Sequence, residues 1–198
     1  MFRRMFSRGI GMRRKDDEKQ QSIKNAVVQL ILEKGFQGAS IAKIAQIAGV
    51  SPATVYIYYD NKESMLNDIY RECTQEAVHV LLGCIRPEMG GDEIIDRLIR
   101  QYYDYILQNR EVFYFIEQFD NCPALSGNCE ATRGSAYLDR LLTELKQRRV
   151  VYDFDNENLY AILFSPVKRL ACHSCECGDC CSDQLDELIR IVQRALVP

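Results

Sequence analysis

The chain has 198 residues, 47% apolar and 27% charged, with 11 glycines and 5 prolines, a globular composition that excludes disorder throughout and collagen-like or low-complexity architecture. No apolar run approaches the roughly 20 residues that cross a bilayer, and the basic start, Met1 to Lys15, lacks the uninterrupted apolar stretch of a secretory signal, so a cytoplasmic protein with no membrane partner is expected. The net charge of −3 hides a split: residues 1–65 hold eleven Lys/Arg against six Asp/Glu, and residues 66–198 hold fourteen against twenty-two.

A cationic head on an acidic body is the charge layout of a nucleic-acid-binding module joined to a regulatory one. Arg3, Arg4, Arg8, Arg13, Arg14 and Lys15 form an acid-free arm. Residues 1–16 are read as a basic, flexible arm that either contacts DNA or is a solvated leader. Met12 is an alternative start to Met1.

Helical periodicity follows. Ile23, Ala26, Val27, Leu30 and Ile31 recur at three- and four-residue steps, predicting a first helix over about 17–34, stopped by Gly35. Ser40 reads as the N-cap of a helix from Ile41 to Ala48, and Gly49 as the turn. Ser51-Pro52, cap and first helical residue, open a third helix ending near Tyr59. Asp60 to Glu63 turn into a long fourth helix, Lys62 to Cys84, with Met65, Leu66, Ile69, Tyr70, Cys73 and Ala77 inward. After the linker Arg86 to Gly91 come helices near 92–109, 111–120, 130–149, 156–172 and 183–196, while Val150 to Tyr152 are too short for a strand. The fold class is all-α.

Ser40 to Tyr59 has helix-turn-helix grammar. Ala45 is small where two helices must approach, Gly49 accepts a positive φ, and Ile44, Ala48, Val50 and Val55 pack the pair. The second helix then presents Ala53, Thr54, Tyr56 and Tyr58 outward, small or hydrogen-bonding types suited to base edges and phosphates. An αα-hairpin inside an ordinary bundle is the plainer alternative.

At these residues the chain resembles the tetracycline-repressor (TetR) family of bacterial transcriptional regulators. The resemblance covers roughly residues 20–70: Lys34-Gly35-Phe36, Ile44 to Ser51, Thr54-Val55-Tyr56, Tyr58-Tyr59, Lys62-Glu63 and Met65-Leu66. Glu117 to Asn121 and Ser165-Pro166 look like one subgroup. The resemblance implies an N-terminal three-helix bundle with the helix-turn-helix (17–61), then a helical regulatory domain (62–198) for ligand binding and dimerisation, entered by the long connecting fourth helix. It implies a homodimeric repressor of a palindromic double-stranded operator, released by a small-molecule effector, with no catalytic activity and no cofactor required for DNA binding. Thr54 and Tyr56 match recognition-helix positions, and Lys62 matches a phosphate-binding lysine aided by its helix dipole. Ser40 would meet a phosphate through its cap position. Lys43, the only cation on the second helix, is a further contact, and Ser51, Ala53 and Tyr58 complete the set. The third helix carries no Arg or Lys, so bidentate guanine readout is not expected from it.

One short helix is too small for operator-level specificity, so two are needed at fixed spacing. Leu159, Ile162, Leu163, Val167 and Leu170 on one late helix, and Leu185, Leu188, Ile189, Val192 and Leu196 on the last, are the candidate dimer stripes; the alternative is that they complete the monomer core. Seven aromatics lie within residues 102–119, and Tyr102, Tyr105, Phe115, Gln118 and Phe119, with Asn121, are candidate pocket residues.

Five of the nine cysteines lie within residues 172–181, placed by the helix pattern between the last two helices. Cys172, Cys175, Cys177 and Cys180 form two CxxC pairs able to grip a soft metal ion. A metal- or thiol-responsive regulator is therefore one alternative, and an incidental cysteine-rich loop another. Cys122 and Cys129 flank a further loop, and Cys73 and Cys84 read as buried small hydrophobes. A thiol- or metal-binding protein or helical metalloenzyme is the different-class alternative. His79 and His173 head no H-x-E or HExxH, and no GxSxG elbow occurs. Operator, effector and direction of regulation are not written in the sequence.

Overall fold

A computed structural model describes residues 6–120, 133–177 and 182–198, with side chains over 16–120, 137–173 and 182–198. Among these residues the structure is entirely helical: α1 (Phe6–Gly38), α2 (Ile41–Ala48), α3 (Pro52–Tyr58), α4 (Lys62–Leu82), α5 (Gly91–Gln108), α6 (Arg110–Asp120), α7 (Arg133–Gln147), α8 (Asn156–Cys177) and α9 (Ser182–Leu196). None of these helices is long and apolar enough to cross a membrane.

The chain divides into two compact units, Met1–Tyr70 with Tyr114–Cys129, and Arg71–Phe113 with Glu130–Pro198. The division falls inside α4 rather than at its start, and the first unit takes in most of α6.

In the first unit the inward residues of α1 expected from the periodicity, Ile23, Ala26, Val27, Leu30 and Ile31, are all buried. α1 packs on α2, and α2 on α3, with Ile44, Ala45 and Val55 fully buried. Ala45 lacks the bulk that would hold the two helices apart. α1 is longer than expected. It begins at Phe6 and is carried across Gly35 to Gly38, with Gly35 at φ 67° and ψ 177°. That backbone is outside the helical region and close to glycine-only territory, so Gly35 redirects the chain as expected and one further turn follows. Phe36, in this turn, meets the Phe119 ring edge-on at 5.6 Å, while Tyr70 stacks on Phe119 at 4.1 Å. The Tyr70 hydroxyl donates to Asp120.

The second unit is a bundle around α5, whose Ile94, Ile95, Leu98 and Ile99 are buried with Leu142 and Leu145 of α7, Leu159, Leu163 and Val167 of α8, and Leu185, Ile189, Val192 and Leu196 of α9. Each such side chain contributes about 1.5–3 kcal/mol relative to exposure, so this core dominates the unit's stability. Polar bonds fix the helix register around it. Arg100 of α5 donates to Asp186 of α9 at 2.5 Å and to Asp96 at 2.9 Å. Asp139 of α7 accepts from Asn156 at 2.7 Å and from the Tyr160 hydroxyl of α8 at 2.8 Å.

This core takes up most of the stripes read as dimer faces. Leu159, Leu163, Val167, Leu185, Ile189, Val192 and Leu196 are all buried within the unit, and Leu170 and Leu188 are half-buried. The reason is α5, whose long apolar face needs both late helices as cover. Ile162 (36% exposed) and Ile191 (57%) are the large apolar side chains that α8 and α9 leave open.

Candidate nucleic-acid interface

The α2–α3 pair is built by its caps. Ser40, extended at φ −134°, caps α2 through its side chain, which accepts from the Lys43 backbone N–H at 3.4 Å. At the other end Gly49 is left-handed, φ 67° and ψ 30°. The Gly49 N–H donates to the Gln46 carbonyl at 3.3 Å and the Val50 N–H to the Ala45 carbonyl at 2.9 Å. This is the bond pair of a Schellman close, which satisfies the last carbonyls of α2 and sets the turn angle. Ser51 then caps α3 with Pro52 behind it, its oxygen accepting from the Thr54 N–H at 3.1 Å.

These caps bear on the expected contact residues. Thr54 is half-buried, and its hydroxyl lies 2.9 Å from that of Ser51, so both hydroxyls are joined in the cap. Tyr58, expected outward, is half-buried and turned back toward α1, its hydroxyl 3.3 Å from the Asp16 carboxylate. Three residues beyond buried Val55, it shares the inward side of α3. Burial, then the Asp16 charge and hydrogen bond, push its phenol pKa up, so it stays neutral. Lys62 is half-buried and donates to the Phe36 carbonyl at 2.6 Å, supplying a cation to the last turn of α1. Lys43 is exposed and donates to the Gly38 carbonyl at 3.1 Å.

What α3 offers to solvent is Pro52 at its first position and, beyond it, Ala53, Tyr56 (56% exposed) and Ile57 (78% exposed). Residues 53, 56 and 57 stand at i, i+3 and i+4, one face opposite buried Val55 and Tyr59. Ile57 is the residue the sequence reading missed. Its signal was available: with Val55 and Tyr59 inward, an isoleucine two residues from each falls on the outer face. Ser40, Lys43 and Ser51 are exposed as well. Arg3 and Arg4 of the basic arm lie outside the described residues, as do the side chains of Arg8, Arg13, Arg14 and Lys15.

The candidate pocket residues are distributed differently. Phe115 and Phe119 are buried in the first unit and Gln118 is exposed there. Tyr102 is half-buried and Tyr105 buried in the second. Tyr102 packs edge-on to Phe164 at 5.0 Å, and burial raises the Tyr105 phenol pKa far above its usual value. Asn121 lies outside the described residues. The second unit carries an open cleft of about 490 Å³ lined by Gln75, Val78, His79, Leu82, Gly83 and Tyr137.

Of the cysteines, Cys73 is buried as expected. Cys84 is only half-buried, because α4 ends at Leu82, and its thiol donates to the Leu81 carbonyl at 3.0 Å. α8 runs on to Cys177, so Cys172, Cys175 and Cys177 are in its last turns rather than in a connecting loop. Cys172 is half-buried; the side chains of Cys175 and Cys177, and Cys122, Cys129, Cys180 and Cys181 entirely, lie outside the described residues. Among the described residues no group of three or more His, Cys, Asp or Glu is placed to hold a metal.

Known proteins resemble this chain in sequence over part of its length and in fold over most of it. The "Fatty acid metabolism regulator protein" of Bacillus subtilis (strain 168) is 27% identical over 88 residues, 44% of this chain and 45% of that protein; the chain thus aligns with about half the length of that curated relative. Among solved structures, a TetR family transcription regulator from Marinobacter aquaeolei VT8 superposes with a TM-score of 0.79 at 23% identity, covering 93% of this chain and 98% of that one. The transcriptional regulator FadR from Bacillus subtilis, solved in complex with stearoyl-CoA, gives 0.69 at 19% identity, with 87% and 96% covered. These two likenesses carry the fold. Residues 23–69, which hold the caps, the Gly49 turn, α3 and Lys62, match the family of bacterial regulatory proteins, tetR family. The tetR-family match thus covers residues 23–69, and over the rest of the chain the likeness is one of fold.

Proposed function

We propose that the protein is a DNA-binding transcriptional regulator, a homodimeric repressor of a palindromic operator that leaves the DNA when a small-molecule effector binds. The observation that carries this reading is the outer face of α3. A seven-residue helix, fixed at its start by Ser51 and joined to α2 through Gly49, exposes Ala53, Tyr56 and Ile57 together. Residues 17–61 serve as the DNA-binding domain and 62–198 as the regulatory domain, with the basic arm of residues 1–16 adding phosphate attraction. Ser40, Lys43 and Lys62 contact the backbone, Lys62 with the ammonium hydrogens left over from Phe36. Tyr56 and Ala53 meet the groove, while Ser51, Thr54 and Tyr58 hold the helix at its reading angle.

Dimerisation supplies the second recognition helix. It runs through the outer sides of α8 and α9, where Ile162 and Ile191 remain open. The effector class with support from relatives is a long-chain acyl-CoA, since one relative is a fatty acid metabolism regulator and another was solved with stearoyl-CoA. The direct test is selection of bound duplexes from a random pool, followed by titration of the winning sequence. A palindrome bound by the wild type, lost in the Tyr56→Ala/Lys62→Ala double variant and released by stearoyl-CoA, is the expected result. Enrichment of no sequence refutes the regulator reading. An operator indifferent to acyl-CoA refutes only the effector.

A further inference from the structure

We infer that Ile57 reads the C5-methyl group of a thymine in the major groove, so that the operator is recognised through methyl groups more than through hydrogen bonds from α3. The inference rests on the DNA-binding reading above and names which chemical feature of the DNA that face selects.

Ile57 is the most exposed large apolar side chain among the described residues, at 78%. It stands on a helix whose other solvent-facing groups are limited. The sequence of α3, Pro52 to Tyr58, contains no Arg, Lys, Asn, Gln, Asp or Glu. The side chains that form bidentate bonds to guanine or adenine, or accept from cytosine, are thus missing. The Thr54 and Ser51 hydroxyls are joined at 2.9 Å within the cap, and the Tyr58 hydroxyl is directed at Asp16. What remains outward is one phenol, at Tyr56, and three apolar groups, the Pro52 ring at the helix start, the Ala53 methyl and the Ile57 side chain.

The major-groove edge of a base pair offers one strongly apolar group, the thymine methyl; every other distinguishing feature there is a donor or acceptor. An isoleucine pressed on a donor or acceptor would desolvate it without a partner, which is unfavourable. Pressed on a methyl, both surfaces leave water together. Isoleucine also suits the task mechanically, because a β-branched side chain on a helix holds essentially one χ1 rotamer and loses little freedom on contact. Ala53 lies one turn earlier, about 6 Å along the helix axis, so the two apolar groups span roughly two base steps of about 3.4 Å. A thymine under Ile57, with a second apolar contact for Ala53 one or two steps away, is the pattern this face fits.

The test uses the operator selected from a random duplex pool and the full-length protein. Each thymine is replaced in turn by deoxyuridine, symmetrically in both half-sites. This removes the methyl and leaves every hydrogen-bonding atom in place. Affinity of the wild type and of Ile57→Ala is measured by fluorescence anisotropy at fixed salt. At one thymine the wild type is expected to lose about 3- to 5-fold per methyl removed, the worth of one buried carbon, while Ile57→Ala binds the thymine and uracil duplexes equally. Ile57 is exposed, so the variant is expected to fold, and a circular dichroism melt superposing on that of the wild type checks this. Wild-type indifference at every position, equal losses in wild type and Ile57→Ala, or an operator with no thymine shared by its half-sites each overturns the inference while the regulator reading stands. Enrichment of no sequence at all removes both.

Discussion

Replacing Gly35 by alanine isolates the cost of one backbone conformation. Gly35 sits at φ 67° and ψ 177°, and a Cβ built there meets nothing within 4 Å. The substitution therefore creates no clash, and its whole effect comes from forcing an L-residue into a region that only glycine occupies readily. Strain of this kind costs about 1–3 kcal/mol. Gly49 is the internal control: it shares the same φ, but with ψ 30° it is ordinary left-handed helix, also with open space around it. There alanine costs about 1–2 kcal/mol, and asparagine, which tolerates that region, less. At roughly 2–4 °C per kcal/mol for a chain of this size, Gly35→Ala is expected to lower the melting temperature by about 2–12 °C, and Gly49→Ala by less. Urea titration of the same variants, read by far-ultraviolet circular dichroism, gives the free energies directly. Because the turn after Gly35 carries the Phe36 carbonyl bonded by Lys62 and the Phe36 ring on Phe119, relaxation of the backbone would release both contacts and add to the loss. Gly35→Ala as stable as Gly49→Asn would refute the reasoning, since it would mean the chain reaches the same turn without the glycine-only backbone.

The other predictions concern caps, charge and one phenol. Ser51→Ala removes the acceptor for the Thr54 N–H and the partner of its hydroxyl, and is expected to cost about 1 kcal/mol in denaturant unfolding together with weaker operator binding; an unchanged midpoint would show that the cap does not hold α3. Lys43→Met is expected to weaken binding to all sequences alike and to reduce the slope of log K against log salt by about one per protomer; a change in sequence preference at constant slope would contradict a phosphate contact. Arg100→Met removes the links to Asp96 and Asp186, but all three side chains are part-exposed, so less than about 1 kcal/mol is expected. Tyr160→Phe deletes the hydrogen bond to Asp139, worth about 1 kcal/mol. Burial and that carboxylate raise the Tyr160 phenol pKa above its ordinary value of about 10. The folded state thus favours the protonated phenol: its contribution is complete below about pH 10 and is lost as pH rises toward the folded-state pKa. The gap between wild type and Tyr160→Phe should close in that alkaline range, and a gap constant to pH 11 would argue against the bond.

Local signals made the first unit legible. Ser40, Gly49, Ser51 and Pro52 each act through bonds to near neighbours, so their roles follow from residue type and spacing alone, and α2 and α3 fall where those residues place them. Gly35 was equally readable as a turn, but not the extra turn of helix after it. That turn is anchored by Lys62 and Phe119, 26 and 83 positions beyond Phe36, and periodicity in a window of a dozen residues cannot register such partners. The late helices show the same limit. An apolar stripe announces that a face is covered and not what covers it, so the Leu159 and Leu185 series read as candidate dimer faces, with the monomer core as the alternative. The α5 face of Ile94, Ile95, Leu98 and Ile99 buries most of both series within the unit and leaves Ile162 and Ile191 outside it. Thr54 and Tyr58 were identifiable as polar side chains of α3, yet whether a hydroxyl faces DNA or a neighbour depends on three-dimensional placement. For Thr54 that neighbour was only three residues away, and the Ser-Pro-Ala-Thr spacing already contained it.

On the proposed reading, affinity and selectivity fall to different groups, and the division follows from where the charges are. The cations read as phosphate contacts are not on α3: Lys43 is on α2, Lys62 is at the start of α4, and the basic run precedes Asp16 in sequence. Phosphate attraction from such groups is indifferent to sequence and falls with salt. α3 itself is uncharged, with a phenol and three apolar groups outward. A substitution among the lysines should therefore move binding to operator and random duplex together, leaving their ratio alone. One at Tyr56 or Ile57 should lower that ratio with little effect on salt dependence. A reading helix without arginine or lysine makes the two contributions separable: α3 brings no cation of its own, so its side chains add little to the salt-dependent attraction that operator and random duplex share.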